Sequence, residues 1–293
     1  MIAGQIKPWI LAARPKTLGA AVAPVLVGSA LGWKLSGEFC VWLMLATLGS
    51  CICLQIATNF FNDAVDAMKG SDTQERLGPV RITASGMMSA GAVMKAAVLF
   101  LVIASVQGAA LIWQCGWPIL AIGIPSLWFC YGYTGGPVPL AYRGLGELFV
   151  VLFFGLIAVT GSAFVQSSQW HVEALVAGLQ IGCLSTVLIA INNLRDIEED
   201  TKTGKKTLAV RFGKTFARVE ITLLYLITLA LCFYWQTPAV RWAPFAIAFL
   251  AAAALSTAIW KTEPSPRYNK FLAMAGASLL AFSFTFIAAL IWG

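Results

Sequence analysis

The chain has 293 residues, of which 59% are hydrophobic and 11% charged, and its mean hydropathy is +0.80. A water-soluble domain carries about a quarter charged residues, so the composition excludes an ordinary soluble globule and makes lipid the natural solvent for this surface. The formal net charge of +7 would suit nucleic acid or an anionic membrane face, and its placement along the chain decides between them.

A spanning helix needs about 20 mostly apolar residues. In chain order the sequence predicts about nine: 17–35, 39–62, 92–113, 117–134, 144–166, 172–194, 215–236, 242–260 and 271–292. The fourth is short and carries Pro118 and Pro125. The expected fold is therefore all-α, a polytopic transmembrane bundle forming one domain over 1–293. Lys7, Arg14 and Lys16 run into the first span without a cleavage pattern, so no removable leader is expected. With the N-terminus on the cytoplasmic side, 18 of the 20 lysines and arginines fall on that side, leaving only Lys34 and Arg241 outside. Positive-inside sorting accounts for that asymmetry, and nucleic acid is not an expected partner.

The cysteines (Cys40, Cys51, Cys53, Cys115, Cys130, Cys183, Cys232) lie in or beside apolar stretches, and His171 is the single histidine. This is no zinc-ligand set; the thiols read as small packing groups.

Eight of the 13 acidic residues lie in two short windows, each where a span leaves the membrane. The first runs from Asn59 to Arg76. Within it Asn59 and Asp63, and Asn62 and Asp66, are i,i+4 pairs, while Asp63 and Asp66 are i,i+3; all project on neighbouring helix faces. Gly70 then releases the chain into a loop carrying Asp72 and Glu75. The second runs from Asn192 to Asp200, with Asn192, Asp196 and Asp200 at i, i+4 and i+8 and Glu199 beside them. Carboxylate and amide oxygens at this density suit Mg²⁺. A divalent cation would also relieve the repulsion between close carboxylates. Two such patches facing each other would bracket a diphosphate. Lys69, Arg76 and Arg81 follow the first cluster, Lys202, Lys205, Lys206 and Arg211 the second, and Arg143 sits in a short loop between them. Of these, Lys69, Arg76, Arg81, Arg143, Lys206 and Arg211 are the diphosphate-binding candidates, since Arg and Lys supply the matching positive charge. Asn59, Tyr133 and Tyr142 are candidates for contact with an organic substrate.

Asn62-Asp63-x-x-Asp66 and Asp196-x-x-x-Asp200 resemble the two aspartate motifs of the UbiA superfamily of intramembrane prenyltransferases. The resemblance covers nearly the whole chain, with one departure: the last aspartate of the first motif would fall at Gly70. The runs Arg14-Pro15-Lys16-Thr17-Leu18, Lys69-Gly70-Ser71-Asp72, Arg76-Leu77-Gly78-Pro79-Val80-Arg81, Asn192-Asn193-Leu194-Arg195-Asp196 and Gly204-Lys205-Lys206-Thr207-Leu208-Ala209-Val210-Arg211 are similar to the 1,4-dihydroxy-2-naphthoate branch. The resemblance implies transfer of a polyprenyl group from its diphosphate to that acceptor, with loss of CO₂, in a bacterial inner membrane with the site on the cytoplasmic side. It also implies two Mg²⁺ ions. Asn62, Asp63 and Asp66 would hold one, and Asn192, Asp196 and Asp200 the other. Asp63, Asp66, Asp196, Asp200 and Arg143 are the catalytic candidates, with Arg143, Lys206 and Arg211 nearest the diphosphate. Other acceptors (4-hydroxybenzoate, homogentisate) are the nearest alternative. An ion-coupled transporter is a distant one, since its acids would sit near the bilayer midplane rather than at helix exits.

Overall fold

The computed structural model describes residues 2–71 and 77–293. Asp72, Glu75 and Arg76 lie outside the described residues. Among the described residues every regular element is helical: α1 (Ile2–Ala13), α2 (Pro15–Ser36), α3 (Val41–Met68), α4 (Ala90–Cys115), α5 (Trp117–Gly132), α6 (Gly146–Val150), a π-helical segment (Val151–Ile157), α7 (Ala158–Ser167), α8 (Val172–Arg195), α9 (Ile197–Lys202), α10 (Leu208–Cys232), α11 (Pro238–Lys261) and α12 (Tyr268–Trp292). α6, the π segment and α7 form one continuous rod, Gly146–Ser167.

Among the described residues eight helices are long and apolar enough to cross a membrane. The remaining expected span, the fourth in chain order, is α5, whose 16 residues reach only about 24 Å against a hydrocarbon core of about 30 Å. Pro118 in its first turn and Pro125 inside it mark the span that the sequence already sets apart. Two boundaries also move. α3 continues past residue 62 to Met68, so the first acidic cluster is still helical. α10 begins at Leu208 rather than near 215: Thr207 caps it by accepting from the Val210 N–H at 3.3 Å, and the chain kinks at Gly213 (φ 86°). α1 lies outside the apolar-run reading altogether; Trp9 anchors it on Phe60 at 5.8 Å between rings.

Lipid gives apolar side chains no advantage in leaving it, so spanning helices associate through close backbone approach. Gly28 of α2 shows this, because a Cβ there would collide with the Val159 carbonyl oxygen of α7. Gly155 of the π segment is locked in the same way between Gly178 and Gly182 of α8. One large apolar cluster joins α2 and α8 to α10, α11 and α12; a second joins α1, α3 and α4. Between these two groups the bundle leaves a cavity of ≈ 1180 Å³.

Candidate active site

The cavity has a polar end and an apolar body. Asn59, Asn62, Asp63, Asp66, Ser71 and Arg81 line the polar end from α3 and the loop after it; Asn192, Asn193, Arg195, Asp196, Glu199, Asp200 and Lys205 line it from α8, α9 and the loop that follows. Ile119, Leu120, Phe129, Phe149, Phe153 and Ile157 belong to the apolar body. The two acidic clusters thus meet in one space.

The first rim is shaped by the end of α3. The Ser71 N–H bonds back to the Asp66 carbonyl at 2.9 Å and the Gly70 N–H to Ala67 at 3.1 Å, a Schellman closure. Gly70 has φ 68°, a left-handed conformation that glycine adopts without strain. This explains the departure from the family motif: the position that would carry an aspartate turns the chain out of the helix.

The two aspartates here do different things. Asp63, 1% exposed, accepts the Thr83 N–H at 2.9 Å and the Ile82 N–H at 3.3 Å, pinning the returning loop. Asp66, 3% exposed, accepts the Tyr142 hydroxyl at 2.7 Å and the Lys205 ammonium at 3.3 Å, with Arg81 at 3.8 Å. Asn62 accepts the Thr134 hydroxyl. Asn59 donates to the Ala13 carbonyl at 2.9 Å and to Thr17 at 3.2 Å, tying the α1–α2 junction to α3.

At the second rim the helical stripe is broken. α8 ends at Arg195 and α9 starts at Ile197, with Asp196 (φ −94°, ψ 11°) as the joint. Asn192, Asp196 and Asp200 nevertheless all reach the cavity. Arg195, a residue the charge pattern assigns only to topology, is among the most buried side chains and grips Asp196 bidentately at 2.7 and 2.6 Å. It also donates to Asn192 at 2.8 Å and Asn269 at 2.7 Å. Asn269 in turn holds the Leu77 carbonyl at 2.9 Å, so the second motif, α12 and the first loop form one network.

Several basic candidates stand elsewhere. Arg143, Lys206 and Arg211 are exposed and do not line the cavity. They secure their own loops: Arg211 donates to the carbonyls of Lys206 (3.0 Å) and Arg143 (2.8 Å), and the Lys206 N–H to that of Tyr142 (3.1 Å). Lys205 is the lysine that turns inward, one residue from the expected Lys206. Lys69 donates to the Thr134 carbonyl at 2.7 Å and lies 4.2 Å over the Tyr142 ring. Loss of water around that ammonium holds it below the ordinary lysine range, Asp66 opposes the shift, and Lys205 lowers it further. Tyr142 therefore organises Asp66 and two lysines without lining the cavity, whereas Tyr133 lines it directly. Arg14, held at φ 51° ahead of Pro15, is a further cation at the wall.

One acid in the cavity belongs to neither cluster. Glu147, in the first turn of α6, is 4% exposed. Asn193 donates to its Oε1 at 2.6 Å, and its Oε2 has no hydrogen-bond partner. A lone Glu four residues past Arg143, at the edge of an apolar span, is the signal that could have found it, because ionisable residues inside spans mark functional sites.

Among the described residues no three His, Cys, Asp or Glu side chains form a ready-made metal cage. The donor set still fits Mg²⁺, which takes one or two protein carboxylates and completes its shell with water and phosphate oxygens.

A family model described as the UbiA prenyltransferase family matches residues 21–284. A 1,4-dihydroxy-2-naphthoate octaprenyltransferase of Haemophilus influenzae is 38% identical over 80% of this chain and 78% of its own, and one of Bacillus subtilis is 37% identical over 75% and 69%. Among solved structures, a UbiA homologue from Archaeoglobus fulgidus bound to DMAPP and Mg²⁺ superposes with a TM-score of 0.69 at 17% identity, covering 96% of this chain and 99% of that one. A UbiA homologue from Aeropyrum pernix gives the same score at 15% identity, covering 92% and 96%.

Proposed function

The chain belongs to the UbiA prenyltransferase family, and from that membership we propose that it transfers a polyprenyl group from its diphosphate to 1,4-dihydroxy-2-naphthoate, releasing diphosphate and CO₂. The observation that carries this reading is one cavity with two chemistries: an oxygen-donor and cationic rim set on an aromatic and aliphatic body. A diphosphate belongs at the first and a hydrocarbon chain in the second.

The two rims would hold two Mg²⁺ ions, one on Asn62 and Asp66 and one on Asp196 and Asp200 with Asn192 beside them. Bound there, the metal supplies the positive charge that a departing diphosphate needs. The chain's own cations act on the same charge. Arg81 and Lys205 already converge within 4 Å of Asp66, so they meet the phosphate oxygens from one side without reorganising. Arg195 holds Asp196 in place rather than touching substrate. Asp63 anchors the loop that carries Arg81. The apolar body keeps water from the allylic cation, and the faces of Phe129, Phe149 and Phe153 stabilise it.

The whole chain acts as one catalytic unit in a bacterial plasma membrane. Its polar rim faces the cytoplasm, where the lysines and arginines concentrate. The test is turnover in detergent with Mg²⁺, a polyprenyl diphosphate and 1,4-dihydroxy-2-naphthoate, with the product identified by mass. A prenylated, decarboxylated naphthoquinol that disappears with EDTA and with Asp66→Ala or Asp196→Ala is expected. Product only with another hydroxylated aromatic acid would keep the mechanism and change the acceptor.

A further inference from the structure

Glu147 stands apart from everything used so far. It lies outside both aspartate clusters, and among the described residues it makes no salt bridge. One of its oxygens is satisfied by Asn193 at 2.6 Å; the other, Oε2, is buried and unpartnered, in a residue that lines the cavity. A buried carboxylate oxygen without a donor is costly, and a site that leaves one open is shaped for a donor that arrives with a ligand.

The surroundings say which ligand. Phe149, two residues on, stacks on Phe153 at 4.2 Å and meets Phe129 at 5.1 Å and Tyr133 at 5.6 Å. The Tyr133 hydroxyl lies beside Gly146, 3.0 Å from where a Cβ on that glycine would stand. An unpartnered carboxylate oxygen in a residue that shares its cavity with these rings suits a flat ring that brings a hydroxyl hydrogen.

We propose that Glu147 is a catalytic residue: its Oε2 accepts the hydrogen bond of a ring hydroxyl of the aromatic acceptor and takes that proton as the carbon–carbon bond forms. The inference rests on the acceptor being a hydroxylated aromatic acid, as read above. As the proton moves to Oε2, the oxygen's electron pair flows into the ring. The ortho carbon, which carries the carboxylate, bonds to the terminal allylic carbon of the prenyl group. The allylic C–O bond breaks with its electron pair passing to the diphosphate. The ring, now a ketone, loses CO₂; the pair from that C–C bond returns to the ring oxygen, which takes the proton back from Glu147. No oxidant or further reactant is needed. Asn193 fixes the carboxylate's rotation, and Gly146 leaves room for the Tyr133 hydroxyl beside it.

The test is steady-state kinetics of the full chain in detergent with Mg²⁺, varying each substrate in turn. Glu147→Gln keeps an oxygen for Asn193 but presents an N–H where Oε2 stood. It is expected to lower kcat about 10²-fold or more, as loss of a general base does, and to raise KM for the acceptor while leaving KM for the prenyl diphosphate unchanged. Glu147→Asp is expected to recover part of the loss. A second arm needs no variant: the acceptor methylated on the hydroxyl next to the carboxylate should react with wild type as slowly as the parent acceptor reacts with Glu147→Gln. Undiminished turnover of that ether by wild type would overturn the proposal, as would a Glu147→Gln enzyme with wild-type constants. Equal losses for both substrates would show a structural role and overturn it too. Wild type inactive with every hydroxylated aromatic acid would instead sink the proposed function.

Discussion

The two acidic rims look alike in sequence and are built on opposite plans. At the second, the cation is local: Arg195 neighbours Asp196, is buried with it, and fixes it before anything binds. At the first, the nearby Lys69 donates to the Thr134 carbonyl instead of gripping Asp66, and the ion-pair partners of Asp66 come from afar, Lys205 from the far side of the second motif and Arg81 from the loop pinned by Asp63. One rim is preassembled by its own helix, whereas the other is assembled by the fold. Neighbouring spacing therefore identifies which oxygens face the cavity but not which cations balance them.

This contrast can be broken at several points. Arg195→Ala removes the local cation, leaving a buried carboxylate uncompensated, and should cost about 3–5 kcal/mol, read as a lower thermal midpoint in detergent. A mild effect would show that the second rim is not preassembled. Asp66→Asn should leave the fold intact and cut turnover about 10²-fold or more, because it weakens the site for the metal whose positive charge would stabilise the leaving group. Asp63→Asn should reverse the balance, costing about 1–2 kcal/mol of stability with the smaller loss of activity; if Asp63→Asn is the more damaging to kcat at unchanged stability, the division of labour between the two aspartates is wrong. Lys205→Ala is expected to raise KM for the prenyl diphosphate about tenfold, equivalent to roughly 1.4 kcal/mol, while Lys206→Ala leaves it unchanged.

The smallest effect lies away from the cavity. Glu263 accepts from Arg218 at 2.7 Å and Lys214 at 3.1 Å, and those hydrogen bonds hold its carboxyl below the ordinary glutamate range. Its contribution to stability is present above the unfolded value of about 4.3 and is lost as pH falls through the lowered folded value. Thermal midpoints of Glu263→Gln and wild type should converge over that acid window. An equal gap at all pH values would show that the cluster is not responsible.

Much of the fold was legible because spans announce themselves by length and apolarity. The missed features share one cause. α1 is too short to register as a span, and α5, expected as a span over 117–134, is a helix of only 16 residues; both owe their place to packing against α3 and its neighbours. Both acidic clusters were legible because Asn62 and Asp66, or Asn192 and Asp196, fall on one helical face whatever surrounds them. Lys205 against Lys206 was not, because the loop geometry after α9 decides which side chain turns inward. Arg195 was hidden by a topological explanation that also fits. Glu147 was hidden because it belongs to no cluster.

The π-helical segment has an evolutionary consequence. The Ala158 N–H reaches the Phe153 carbonyl, an i→i−5 bond, so this stretch holds more chain per turn than an α-helix. Losing one residue there would let ordinary α pitch close with the helix before the segment and the helix after it left nearly in register. Glu147 lies before the segment, while Val159, which receives Gly28, lies after it. The carboxylate and the packing contact would then keep their relative bearing through a change of one residue in length. A deletion at this place in the rod is therefore absorbed, where one in the α-helical turns beside it would swing Glu147 by about 100°.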